Sequence, residues 1–236
     1  IGNKGFVANA LWSTSSTSSK DLFDGDGKLQ TVGSSNYWSF GIGYPLILKR
    51  NSKLSISLSG TGQNSTNDLY LDGSQITDLS TDKIRAVRLS LDGYYATARS
   101  VNTLGFRLSQ GLGGLGDELA SDEFLSNPFA NSNFTAASLN LSRTQKIFDL
   151  GTFLTVKGSG QLSSAPLPTP EAFTFGGPIY GRAFKSVYIL GDQGVSGSIE
   201  LSHKLNFSFF NKSASITPFT WYDVGTTQYK EGPLGN

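Results

Sequence analysis

Few side chains in this sequence could do chemistry. His203 is the only histidine and cysteine is absent, which removes thiolate nucleophiles, thiolate metal sites and disulfides together. His203 shares the strand parity of the apolar Leu201 and Leu205, and no serine or acidic partner stands at a spacing that would make it a general base. "GLGGLG", residues 111–116, has the glycines of a dinucleotide loop without the βαβ frame that such a loop requires. "DGDGK", residues 24–28, has calcium-binding oxygens but no glutamate at the required spacing, so an external loop is expected there. The expectation is no catalytic residue, no cofactor and no metal ligand. One stretch stands apart. "FGGPIYGRAF", residues 175–184, is too rich in glycine and proline for regular structure, yet it sets one arginine among Phe175, Tyr180 and Phe184. A loop washed by water has little use for three aromatics around one guanidinium.

The elements that position this arginine follow from composition and period. The chain has 236 residues and a formal net charge of +1, so there is no basic field for nucleic acid and no acidic tail. It begins with Ile1 and lacks methionine, which suggests a processed product or a piece of something longer. No run of about 18 apolar residues occurs, which excludes a spanning helix but not a spanning barrel, whose strands need only about 9–11 residues each. Aromatics at 12% and 28 glycines, with many Ser and Thr, favour β structure.

Alternation dominates. Trp38, Phe40, Ile42, Tyr44 and Leu46 oppose Ser39, Gly41 and Gly43; Val87, Leu89 and Leu91 oppose Arg88, Ser90 and Asp92; Leu139 and Leu141 oppose Ser138, Asn140 and Ser142. A period of two over many segments predicts strands, drawn at about 4–13, 36–48, 53–62, 83–96, 102–112, 133–147, 152–163, 192–209 and 214–224. The connections alternate between roughly 20 or more residues and about 4 or 5. An up-and-down array places alternate connections at opposite ends, so this rhythm is that of an outer-membrane barrel with tight turns at one rim and long loops at the other. The fold class predicted is all-β, an antiparallel up-and-down transmembrane β-barrel. Nine strands do not close a bacterial barrel, which uses an even number, so the sheet is expected to be partial.

The longest connection, about 164–191, carries a resemblance to a known family. Glu171, Phe173, Phe175, Gly176 and Gly177, then "GRAF" (Gly181 to Phe184), then Gly191, Asp192, Gly194, Glu200 and Leu201 follow a phrase of the two-partner secretion transporters, the ShlB/FhaC/HecB haemolysin secretion/activation proteins of the BamA-type superfamily. "WYDVG", with Trp221, Asp223 and Gly225, is similar to that family's F-x-D-x-G strand motif. Two departures are Gly181-Arg182-Ala183 where the family has Val-Arg-Gly, and Trp221 where it has Phe; both leave the charged residue in place.

The resemblance implies a barrel of about 16 strands, with residues 1–236 an incomplete barrel domain that lacks its first and last strands and the periplasmic POTRA domains. It implies that the long loop folds into the lumen as a gate built from Gly176, Gly177, Gly181, Arg182 and Phe184. Arg182 would meet the inner-wall motif of Trp221, Asp223 and Gly225 through a bidentate pair. By parity, Arg88, Asp92, Arg107, Lys157 and Glu200 line a wet, mixed-charge lumen suited to an unfolded polypeptide. The implied location is the bacterial outer membrane and the implied partners are its lipid and a secreted exoprotein, with neither nucleic acid nor a small-molecule substrate. Two other readings stay open on the residues alone. One is a barrel-assembly insertase of the same superfamily, which needs a weak lateral seam. The other is a soluble β-rich adhesin, which would fold in water without detergent.

Overall fold

The alternating runs pair with one another almost in chain order. In the computed structural model, which describes residues 5–19, 29–114, 125–148, 151–209 and 212–230, seven strands follow in succession: β1 (Val7–Ser18), β2 (Leu29–Lys49), β3 (Ser52–Leu71), β4 (Ser74–Ala96), β5 (Ser100–Gly111), β6 (Thr135–Phe148) and β7 (Thr152–Ser163). Two short strands, β8 (Phe173–Phe175) and β9 (Ile189–Gly191), pair with each other inside the long loop. After β10 (Gln193–His203) come the hairpin strands β11 (Leu205–Phe209) and β12 (Lys212–Ile216), then β13 (Phe219–Gln228). The main sheet has nine strands in the order β1-β2-β3-β4-β5-β6-β7-β10-β13, every neighbour antiparallel. This is the up-and-down architecture that the alternation predicts.

Register decides which residues share a face, because side chains directly opposite each other across a ladder point the same way. Arg107 lies opposite Ser90 and Ser138, Lys157 opposite Ser142 and Ser198, and Asp223 opposite Ser198. Arg88, Asp92, Glu200, Trp221 and Gly225 belong to the same face by strand parity. The other face carries Phe40, Ile42, Leu58, Leu89, Leu139, Leu141, Val156 and Ile199, which are exposed. An apolar surface running across a whole sheet is far larger than a soluble monomer leaves to water, and is stable against lipid tails. Trp12 and Trp38 stand opposite one another on it, and the Arg85 guanidinium lies 5.8 Å from the Trp38 ring. Girdles of aromatic residues flank the apolar band of outer-membrane barrels. Arg143, also outward, turns its guanidinium to Asn102 and Gln145.

Several boundaries differ from the alternation-based expectation. Residues 63–82, expected as a long loop, are strand: β3 and β4 run on to meet at Asp72–Gly73. Both turn residues have positive φ, 51° and 82°, the primed geometry that Asp-Gly favours in two-residue hairpins. The extension carries Ser, Thr, Asn and Asp on both faces, so it has no amphipathic period to detect. The first connection shortens for the same reason, with β1 reaching Ser18 and β2 starting at Leu29. The strand expected at 192–209 ends at His203. Beyond it Leu205–Phe209 pairs with Lys212–Ile216 as a separate ribbon, and the last wall strand starts at Phe219 instead of 214. The "DGDGK" segment lies outside the described residues.

A small dry core sits on the polar face, at the end of the sheet where the long connections leave it. Phe134, fully buried, packs with Ile84, Ala136 and Leu167. Asn131 N–H donates to the Pro166 carbonyl at 3.0 Å and Asn127 Nδ2 to that of Leu167 at 2.9 Å. Residues 125–134 and 164–168 therefore lean inward together against β4. Alternation had no means of showing this, since both segments are irregular.

Candidate functional site

The long loop is built from its root outward. β7 ends at Ser163, and the Pro166-Leu167-Pro168 run leads into a single 3-10 turn, Thr169–Glu171. Asp192, only 1% exposed, closes the base. Its two carboxylate oxygens accept from the backbone N–H of Leu167 and of Lys230, both at 2.7 Å. One side chain thus ties the outgoing limb of the loop to the segment that follows β13. β8 then lies against the inner faces of β10 and β13, and two glycines make room for it. A Cβ on Gly194 would sit 2.3 Å from the Phe173 ring, and one on Gly225 would sit 2.2 Å from the Phe175 ring. Phe173 and Phe175 are buried in these notches.

The tip reverses through Gly176, Gly177 and Gly181, all at positive φ. Backbone bonds from Gly176 to Tyr180 and from Phe184 to Gly181 tighten it. This turn aims Arg182 at the wall. Its backbone N–H and its Nε both donate to Asp223 Oδ2, at 3.0 and 3.1 Å, while Nη2 donates to Asp223 Oδ1 at 3.0 Å. The guanidinium therefore grips the carboxylate with two parallel bonds, the fork geometry that fixes direction as well as distance. Nη1 donates to Glu200 Oε2 and Nη2 to Ser198 Oγ, and the Trp221 ring lies 5.0 Å beneath the cation. The Arg182 side chain is 16% exposed and that of Asp223 5%. The hydrogen bonds to Asp223, then those to Glu200, hold the guanidinium above its usual range, so it stays charged. Burial, with the Asp223 charge adding to it, pushes the Tyr180 phenol up as well. This arrangement anchors.

The remaining predicted residues divide. Gly176, Gly177, Gly181, Arg182, Trp221, Asp223, Gly225 and Glu200 come together in one place. Arg88, on β4, meets the loop elsewhere, in an ion pair with Glu171. Asp92 and Arg107 are exposed on the polar face and Lys157 is half-buried there; among the described residues none of the three makes an ion pair with the loop. Phe184, expected as part of the gate, stacks on Tyr188 within the loop, ring centroids 4.5 Å apart, lies 6.2 Å from the Phe175 ring, and stays 45% exposed. The Gly225 notch is already filled by Phe175. His203 faces outward and is hydrogen bonded through Nδ1 to the Thr152 hydroxyl at 2.8 Å. Alternation did not assign Asp192, Ser198 or Glu171 to the loop's support. Ser198 shares the parity of Glu200, which was assigned to the polar face, and could have been found from it, whereas the Asp192 partners are backbone groups that carry no residue-type signal.

Comparison with known proteins gives the same picture at family level. The haemolysin secretion/activation protein family ShlB/FhaC/HecB matches residues 7–234. Among solved structures, CdiB from Acinetobacter baumannii is similar over 98% of this chain and 39% of that chain, with 15% sequence identity and a TM-score of 0.70. At that identity the likeness is one of fold, and this chain spans about two fifths of the length of that protein. A comparison with the curated proteins finds no match. With nearly the whole sequence matched and the fold of its nine strands shared, the chain belongs to the ShlB/FhaC/HecB haemolysin secretion/activation family.

Proposed function

We propose that this chain supplies wall strands and the gate loop of an outer-membrane pore, which passes a large unfolded partner exoprotein outward by two-partner secretion. In this reading residues 1–236 are part of a barrel domain whose other strands, and any periplasmic domains, lie elsewhere in the protein. The apolar face meets lipid, and the face carrying Arg88, Asp92, Arg107, Lys157, Glu200 and Asp223 lines the lumen. Mixed charge with abundant Ser, Asn and Gln gives an extended polypeptide transient hydrogen bonds and no strong resting place. The observation that carries the reading is the anchoring of Arg182: a loop that leaves one strand end and bonds to the middle of the inner wall must lie inside the channel. Between the loop and the β6–β7 wall there remains a space of about 340 Å³, lined in part by Ser138, Asn140, Ser159 and Gln161. That space admits a few side chains and no folded domain. In this reading the loop moves to let the client pass, and folding of the client outside draws it through.

The Arg182–Asp223 unit is tested by a double-mutant cycle on export of the partner protein. Asp223→Ala and Arg182→Ala are each expected to cut export to a similar low level, and the double variant to lie no lower than either, because both remove one anchor. Losses that multiply would show that the two residues act independently and would remove the gate role from the pair.

A further inference from the structure

We propose that Glu171 and Arg88 form a second anchor of the loop, on the opposite part of the wall from Arg182, so that the loop is a bar held at two places and not a flap on one hinge. The proposal rests on the gate reading above and extends it.

Glu171 ends the 3-10 turn that follows β7. Its backbone carbonyl accepts from Gln161 Nε2 on β7 at 2.8 Å, and the same Nε2 also donates to the Asp192 carbonyl at 3.3 Å. The Glu171 main chain is thus fixed to β7 and to the loop's root. Its carboxylate points the other way, to Arg88 Nη2 on β4. Between β4 and β7 lie β5 and β6, a distance along the wall of about 14 Å at roughly 4.8 Å per strand step. The two long side chains close that distance across the concave side of the sheet. Arg88 is itself aimed, since its Nε donates to Thr61 Oγ1 at 3.0 Å, and the buried Thr61 hydroxyl donates to the Ala86 carbonyl. Both partners are well covered, the Arg88 side chain being 13% exposed and that of Glu171 9%. Nothing about this resembles a pair of surface ions. One charge sits on a wall strand, the other on the loop, 83 residues apart in sequence.

The two anchors differ in kind. Arg182 is a cation carried by the loop onto wall carboxylates, and Glu171 is a carboxylate carried by the loop onto a wall cation. The opposed polarity gives the loop one orientation in the lumen, because reversing it would set like charges together at both ends. Glu171 follows Leu167 of the dry core by four residues, so this end of the loop leaves a packed segment. Glu171 and Arg88 are therefore positioning residues: they act on transport by setting where the loop lies.

Ion conductance through single channels of the full-length protein in planar lipid bilayers tests this without any client, and registers only barrels that have inserted. Arg88→Glu and Glu171→Arg are each expected to raise the mean current at least twofold, with frequent jumps between levels. Arg88→Glu combined with Glu171→Arg restores the opposite pairing and is expected to return the current to the wild-type level. If a single reversal yields no channels, Glu171→Gln, which keeps size and removes charge, replaces it with the same expectation. Single variants with wild-type currents, or a swapped pair as noisy as either single, would overturn the second anchor. Arg182→Ala in parallel separates the two claims. If it raises the current while the Arg88 and Glu171 variants do not, only the second anchor falls; if it too leaves the current unchanged, the gate reading falls with it.

Discussion

Arg182→Ala is expected to reduce export of the partner protein at least tenfold while the barrel still assembles in the membrane. Removing the guanidinium deletes the two side-chain bonds to Asp223, together with those to Glu200 and Ser198, and leaves only the bond from the backbone N–H of residue 182. It leaves two carboxylates facing one another on β10 and β13 with no cation between them. Breaking a covered ion pair from one side costs roughly 3–5 kcal/mol, most of it the uncompensated charge left behind, and the wetness of a lumen places the cost at the lower end. Even there, the docked loop changes from dominant to scarce, since about 1.4 kcal/mol is tenfold in population. Ionic leakage should rise because the channel is no longer barred, and directed export should fall because the docked starting arrangement is lost. Arg182→Lys keeps the charge but not the two-bond fork, so an intermediate defect is expected. The measurements are secreted partner in the medium and the heat-dependent mobility shift of the folded barrel on gels. Normal export with Ala at this position would mean that the loop's anchoring is irrelevant to transport.

Gly225→Val is expected to damage export almost as severely, by a different physical route. The added Cβ would lie 2.2 Å from Cδ2 of Phe175 and 2.8 Å from its Cγ, so the obstruction is the ring itself and not the far end of a flexible chain. Phe175 has to leave its notch, forfeiting about 2–3 kcal/mol of apolar burial, and with it β8 shifts off the wall that Arg182 must reach. A β-branched residue suits a strand, so the wall itself should tolerate the change. The double variant Gly225→Val with Phe175→Ala removes the clash and should recover much of the export that Gly225→Val loses. Recovery that fails, with the barrel still folded, would show that the valine harms something other than the seat of Phe175.

How much of this was legible beforehand varies by element. Leu139, Leu141 and their partners Ser138, Asn140 and Ser142 announce β6 because one face is apolar and the other polar, and a strand with two unlike faces has to alternate. The same contrast places Arg88, Asp92, Arg107, Lys157, Glu200 and Asp223 on one side. Above the apolar band that contrast ends. Residues 63–71 and 74–82 carry Ser, Thr, Asn and Asp on both faces without period, and are strands all the same. There the hydrogen-bond ladder propagates from below, and Asp72–Gly73 was the sole local sign of it. The two-residue turn was readable; the strands leading into it were not.

What the amino-acid sequence determined by itself was the wall: strand type, alternation, which face is apolar, and a loop whose arginine, glycines and aromatics had to serve something other than solvent. Tertiary structure alone decided how that loop is seated. The seating of Phe173 on Gly194 and Phe175 on Gly225, the bonds from Asp192 to the Leu167 and Lys230 amides, and the meeting of Glu171 with Arg88 all join residues far apart in the chain. Period is a local property that each strand writes along its own length. A notch, a backbone acceptor or a cross-lumen ion pair exists only once the strands have been laid side by side in one register.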